Sequence, residues 1–284
     1  MYELPCLNFD DSSRGNAPHP KLIFNILNGG PHGGNALTFC EFMIVPDALD
    51  VHESIRVASE VYCDLRELLT LRQGRKGTLV GREGGFSPEL KTNGEALDVI
   101  SEAISKRNEG KVKIAIDVAA TTFSRFENGE FVYVVDDSKY SSQNFIDYFR
   151  DLIAQFGNIH MLEDPLNERD TKGLKVIKSQ LGDQVMIVAD DITVSRPKLI
   201  AETKGFVDAC VLKLNQAETV SGLVQAHVAC KKAGLATILS QRSGETDSNI
   251  LAHIAMGLSP EYVKAGAPAR ERIIKYNELM RLYA

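Results

Sequence analysis

Ile238-Leu239-Ser240-Gln241-Arg242-Ser243-Gly244-Glu245-Thr246 ends an apolar run that begins at Leu235, and a helical pattern, Asp247 to Leu258, follows it. A strand that stops in an arginine, a serine and a glycine suits an anionic ligand. Arginine presents a planar fork of donors to a phosphate or carboxylate, and glycine lets the backbone come close. A plain strand-to-helix turn can carry the same residues. The other strand ends decide between the two.

Working outward, the same pattern recurs. Lys113-Ile114-Ala115-Ile116 ends at Asp117, and Ile159-His160-Met161-Leu162 ends at Glu163-Asp164-Pro165. Val185-Met186-Ile187-Val188-Ala189 ends at Asp190-Asp191, Ala209-Cys210-Val211-Leu212 at Lys213, and Tyr262-Val263 at Lys264. Amphipathic helical patterns fill the intervals. Strand, chemically distinctive end, helix, repeated, predicts a parallel β/α barrel, whose functional side chains gather at the C-terminal ends of the strands. An open doubly wound sheet is the rival. It does not call for a distinctive residue at every strand end, and the sequence has no Gly-x-Gly-x-x-Gly turn.

The earlier part is less regular. Residues 1–20 read as an irregular segment, and residues 21–284 as the barrel domain. Leu22 to Leu27 reads as a strand that stops at Asn28-Gly29-Gly30-Pro31-His32-Gly33-Gly34-Asn35, and Leu37 to Val45 as a second strand with Glu41 inside it. A charge in such a run implies a polar cavity. Val51 to Leu71 is helical, ended by Gly74 or Gly77, and Glu83 sits in a second glycine-rich loop, Gly81-Arg82-Glu83-Gly84-Gly85. Asn93 is expected to cap a helix running to Ile104, and Ser195 to cap one opening at Arg196-Pro197 and closing at Gly205.

Composition bounds the rest. The 284 residues are 44% hydrophobic and 25% charged with a net charge of -6, ordinary values for a soluble globular chain. Nothing in the charge balance points to nucleic acid, and no apolar run approaches a membrane span. Five cysteines without a Cys-x-x-Cys pair suit a reducing compartment. No signal peptide is legible, so the expected location is cytoplasmic.

In a barrel, Asp117, Glu163 and Asp190 converge on one pole. Carboxylates so confined repel unless a cation binds them, and a hard oxygen set without histidine favours Mg²⁺. Each acid alone also has a structural reading, as a cap or an ion-pair partner. Lys213 and Lys264 are strand-end lysines. A divalent cation and a second ammonium nearby lower a lysine pKa and allow base catalysis, while a counter-ion role is the alternative. Glu41 and Glu83 are candidate proton donors. A lysine base, an acid, a carboxylate-bound metal and an anion clamp suit proton abstraction beside a metal-bound carboxylate, followed by loss of a β-hydroxyl as water.

At these residues the chain resembles the enolases, the phosphopyruvate hydratases of glycolysis. The shared blocks include residues 28–35, Glu41-Phe42-Met43-Ile44, Glu83-Gly84-Gly85-Phe86-Ser87-Pro88, Asp117-Val118-Ala119-Ala120, Glu163-Asp164-Pro165 and Asp190-Asp191-Ile192-Thr193-Val194. They continue with Lys213-Leu214-Asn215-Gln216, Arg242-Ser243-Gly244-Glu245-Thr246 and Lys264-Ala265-Gly266-Ala267-Pro268. The resemblance implies a TIM-type barrel with antiparallel early strands and Mg²⁺-dependent dehydration of 2-phospho-D-glycerate to phosphoenolpyruvate. Asp117, Glu163 and Asp190 would hold the metal, and Lys213 would remove the proton. Glu83 would protonate the leaving hydroxyl, with Glu41 and His32 beside it. Arg242, Ser243, Lys264 and Gln241 would bind substrate.

Three departures from the family pattern stand out. An N-terminal α+β domain, with a loop serine that closes the site, has no counterpart before residue 21. Gln241 stands where the family has histidine, and Arg82 where it usually has aspartate. A cation at residue 82 would weaken Glu83 as an acid unless Arg82 points away. Two alternatives follow. One is a related dehydratase of a phosphonate or other phosphorylated hydroxy acid. The other is a barrel inactive alone, either a binding protein or half of a split enolase. A homo-oligomer or a separate N-terminal-domain chain is the expected macromolecular partner.

Overall fold

The computed structural model describes residues 19–106 and 112–284. The expected irregular segment 1–20 therefore lies almost wholly outside the described residues. Eleven strands are described: β1 Lys21–Asn28, β2 Glu41–Pro46, β3 Val112–Asp117, β4 Ser124–Glu127, β5 Glu130–Val135, β6 Ser138–Ser141, β7 Ile159–Glu163, β8 Met186–Ala189, β9 Ala209–Lys213, β10 Ala236–Ser240 and β11 Tyr262–Lys264. Eight close into a barrel in the order β1-β11-β10-β9-β8-β7-β3-β2, and β4-β5-β6 form a separate small sheet.

Helices α1 (Gly30–Gly33), α2 (Val51–Gln73), α3 (Asn93–Ser105), α4 (Ser142–Phe156) and α5 (Thr171–Leu181) come from the first part of the chain. Helices α6 (Pro197–Glu202), α7 (Leu214–Ala217), α8 (Val220–Ala233), α9 (Ile250–Leu258) and α10 (Ile273–Leu282) come from the second. None of the described helices is long and apolar enough to cross a membrane.

Barrel strands alternate in register with period two, so every second side chain enters the lumen. Ile23, Met43, Val45, Ala115, Met161, Val188, Ala209, Val211, Ile238 and Tyr262 fill it as a cluster of their own. The intervening residues pack outward under the helices in a second, larger cluster. The lumen is thus plugged at one end, and only the strand-end residues stand above the plug.

The early strands depart from β/α alternation as the resemblance implies. β2 pairs antiparallel with both β1 and β3, while the remaining barrel pairs are parallel. A reversed strand begins at the pole where its neighbours end. That is why Glu41, at the start of β2, lies opposite Asp117 at the end of β3, which in turn lies opposite Glu163. The expected strand from Leu37 therefore starts later, at Glu41. The residues before it are occupied in closing the glycine loop, with Gly30 N donating to Leu37 O and Gly29 N to Cys40 O.

Local signals differ from expectation in a few places. Thr92, not Asn93, caps α3, its hydroxyl accepting from Glu95 N. Asn93 is buried, and its side-chain oxygen accepts from Phe39 N at 3.0 Å. α6 has no side-chain cap and ends at Glu202, before Gly205. Ser195 is used elsewhere, as described below. α9 begins at Ile250 rather than Asp247.

Candidate active site

At the open pole the strand ends line a cavity of about 270 Å³. His32, Glu41, Glu83, Asp117, Asp190, Lys213, Arg242 and Ser243 all face it, with Asp164, Asp191, Asn215 and Gln216 beside them. Glu163 and Lys264 lie buried next to these groups. Eight of the eleven candidate site residues therefore lie on this one cavity.

Lys264 is the centre of the charge distribution. Its ammonium, 2% exposed, lies 2.9 Å from Glu41, 2.9 Å from Glu163 and 3.7 Å from Asp117. Burial works against its charge, but Glu163, Glu41 and Asp117 outweigh it and hold its pKa well above the usual lysine range. Burial pushes the Glu163 carboxyl up to about 7 despite Lys264, with Asp190 and Glu41 adding repulsion. Asp117 is also raised, well above the usual carboxylate range, by burial and then by the Glu163 charge. Glu41 goes the other way. Burial opposes its charge, but Lys264 and the His32 hydrogen bond prevail and keep it ionised.

Lys213 forms an ion pair with Asp190 Oδ2, and Gln216 Nε2 donates to Asp190 Oδ1 at 3.2 Å. Burial and the Lys264 ammonium lower the Lys213 pKa, but Asp190 outweighs them, and the result is raised. The sequence reading expected a lowered value. The difference lies in the direct carboxylate partner, whose charge a bound cation would take over.

Ser195 completes this corner. Its hydroxyl accepts from Lys213 N at 2.9 Å and donates to Gln216 Oε1 at 2.7 Å. Asp164, in a left-handed backbone conformation (φ 42°), accepts from the N–H groups of Asp190 and Asp191 at 3.0 and 2.7 Å. It fixes where Asp190 points. Both roles went unread in the sequence: Ser195 looks like a helix cap, and Asp164 reads only as part of a strand end.

Glu83 is carried on a loop stitched to the end of β1. Gly81 N donates to Gly85 O, Asn28 N to Phe86 O, and Ala267 N to Glu83 O, all within 2.9 Å. A Cβ on Gly85 would lie 2.9 Å from Leu27 N and from the side-chain oxygens of Asn25 and Asn28, so a larger residue would lift the loop away. Arg82 is exposed, and the largest influences on Glu83 come from burial and from other groups. Burial and Glu41 raise the Glu83 pKa against Lys264, Arg272 and His32.

His32 Nδ1 lies 3.0 Å from Glu41 Oε1. Burial lowers its pKa, but the hydrogen bond and charge of Glu41 outweigh burial and raise it. Among the described residues, His32, Glu41 and Glu83 are the one set of three potential ligands whose donor atoms lie within 4.8 Å of one another. Asp117, Glu163 and Asp190 do not form such a set: Asp117 and Glu163 share Lys264, while Asp190 pairs with Lys213. Their chemistry still fits a hard divalent cation. They are three buried carboxylate side chains at neighbouring strand ends, two of them raised by burial and by like charge.

Arg242 is exposed and Ser243 half-buried at the rim, where an anion can reach both. Arg272, absent from the sequence reading, holds them. Its guanidinium, 1% exposed, donates to Arg242 O (3.1 Å), Ser243 O (2.7 Å) and Arg82 O (3.0 Å). It joins the loop of Arg242 and Ser243 to the loop that carries Glu83. Gln241 spans the same two loops through its side chain, Nε2 donating to Glu83 Oε2 at 3.4 Å.

Residues 17–284 match the family described as "Enolase, C-terminal TIM barrel domain". The chain is 38% identical over 268 residues to a protein named enolase from Ehrlichia ruminantium, covering 92% of this chain and 62% of that one. It is also 38% identical over 270 residues to an enolase of Thermococcus kodakarensis, and 38% identical over 272 residues to one of Solanum lycopersicum. In both cases 93% of this chain is covered. It covers 62% of the Thermococcus protein and 61% of the Solanum one, so it spans about six tenths of the length of these relatives.

Proposed function

The chain belongs to the enolase family, and from that premise we propose that it is a Mg²⁺-dependent lyase that dehydrates 2-phospho-D-glycerate to phosphoenolpyruvate. The observation that carries this reading is the arrangement of Lys213 and Glu83 on the same small cavity, with the carboxylates at its floor and Arg242 and Ser243 at its rim. A base and an acid facing one volume are what an elimination needs. Both would meet the substrate between them.

Asp117, Glu163 and Asp190 would hold the cation, which when bound supplies positive charge that stabilises the enolate form of the substrate carboxylate. The chain's own groups do the rest. Arg242 and Ser243 bind the phosphate, and Lys264 presents its ammonium to the substrate carboxylate. Lys213 Nζ, in its neutral form, would take the proton from the carbon that bears the phosphate. Glu83, buried and raised, delivers a proton to the departing hydroxyl, which leaves as water. His32 and Glu41 keep a proton near Glu83. The plugged lumen beneath excludes bulk water from the acidic floor.

The test is turnover. The purified chain is given Mg²⁺ and 2-phosphoglycerate, and the ultraviolet absorbance of the enol product is followed against a Lys213→Ala control. Turnover above the control is expected. Turnover that appears only when an N-terminal domain is added in trans would make the chain one half of a split enzyme. Turnover of a phosphonate hydroxy acid alone would make it a sibling dehydratase.

A further inference from the structure

Gln241 is 2% exposed and is fixed on all sides. Its N–H donates to Lys264 O at 3.2 Å, and its carbonyl accepts from the Ser240 hydroxyl at 3.0 Å. Its amide end is walled by glycine, since a Cβ on Gly266 would lie 2.6 Å from Gln241 Nε2 and 2.9 Å from Glu83 O. Arg272 clamps the backbones on either side. The amide of Gln241 and the carboxyl of Glu83 therefore face each other with little freedom to part.

The contact is long as it stands, 3.4 Å from Nε2 to Glu83 Oε2, and the other end of the amide, Oε1, is buried without a partner. A half-turn of the amide exchanges its nitrogen and oxygen without moving any other atom. The half-turn brings Oε1 to Glu83, a contact that is favourable only when the carboxyl carries a proton to donate. It pairs a buried acceptor that has no donor with an acid hydroxyl that needs an acceptor.

We infer that Gln241 is a positioning residue for Glu83: its side-chain oxygen accepts the Glu83 hydroxyl and holds that carboxyl in its acid form, aimed at the cavity. This rests on the reading of Glu83 as the acid of the proposed elimination. The charged and titratable groups facing Glu83 are Glu41 from β2, Lys264 from β11, His32 from α1, Arg272 just before α10 and Tyr276 on α10. Burial and Glu41 favour the proton, while Lys264, Arg272 and His32 oppose it. An uncharged acceptor adds to the first side without adding charge to the site.

The sign of the effect separates this from the alternative, in which the amide donates to an ionised Glu83. The Glu83 carboxyl is followed by ¹³C NMR as a function of pH, its signal assigned by its absence from Glu83→Gln. In Gln241→Met, which keeps the length and removes both polar atoms, the titration midpoint falls by about half to one pH unit. A midpoint that rises, or does not move, overturns the inference. If Gln241→Met loses the native circular dichroism, Gln241→Leu and Gln241→Asn repeat the measurement with the same required direction. The titration is read in the resting protein, so it stands or falls apart from turnover. Where turnover is present, the alkaline limb of its pH profile moves down by the same amount.

Discussion

Arg272 holds two loops with three donated hydrogen bonds from a side chain 1% exposed. Replacing it with methionine leaves three backbone carbonyl groups without this donor. We expect a loss of about 2–4 kcal/mol in urea unfolding, with a larger rise in KM than fall in kcat, because the loop of Arg242 and Ser243, proposed to bind phosphate, loosens first. Gly266 is a second sensitive residue. Its φ of +80° and the close approach of Gln241 and Glu83 leave no room for a Cβ. Gly266→Ala should cost about 1–3 kcal/mol and depress kcat, as measured by thermal melts and turnover. His32 sets a pH dependence. Its folded pKa is raised above 6.5 after Glu41 outweighs burial. Its stabilising contribution is therefore full below 6.5 and is lost as pH rises through the folded value. The stability difference between the wild type and His32→Gln should shrink with rising pH across that window, and a constant difference would contradict the assignment.

Among the elements, the strand ends were legible because each is an apolar run closed by a residue with no place in a core. Glu41 was legible as an anomaly, but its partner Asp117 became clear only once β2 was seen to run against its neighbours. Arg272 was not legible, since Arg270-Glu271-Arg272 reads as a solvated charge run and its partners lie 29 to 190 residues away. Ser195 was misread because a hydroxyl before Arg-Pro looks like a cap, whereas here it serves Lys213 and Gln216. Asp170 shows how an element start can carry more than a cap. Its carboxylate accepts from Gly173 N at the start of α5, from Tyr133 on β5 at 2.9 Å and from Ser142 on α4 at 2.5 Å. Asp170→Ala should cost about 2–3 kcal/mol, chiefly by freeing the small sheet and α4 from α5, and denaturant unfolding reads this directly.

At the scale of the whole molecule, the barrel is an inner apolar plug with a charged ring above it. Glu41, Asp117, Glu163 and Asp190 face two lysines there, so the ring holds more acid than base. A ring of this sign should be stabilised by a divalent cation. Mg²⁺ at about 100 times its dissociation constant should raise unfolding free energy by about 2.7 kcal/mol in the wild type. Asp117→Asn with Glu163→Gln should abolish the increment, and an equal increment in that variant would place the cation elsewhere.

The central claim is that Lys213 and Glu83 act as base and acid on one substrate across the cavity. It is tested most directly by deuterium exchange at carbon 2 of 2-phosphoglycerate in heavy water with Mg²⁺, followed by proton NMR alongside product formation. The wild type should show both exchange and product, Glu83→Gln exchange without product, and Lys213→Ala neither. Exchange that persists in Lys213→Ala, or product formed by Glu83→Gln at the wild-type rate, would contradict it.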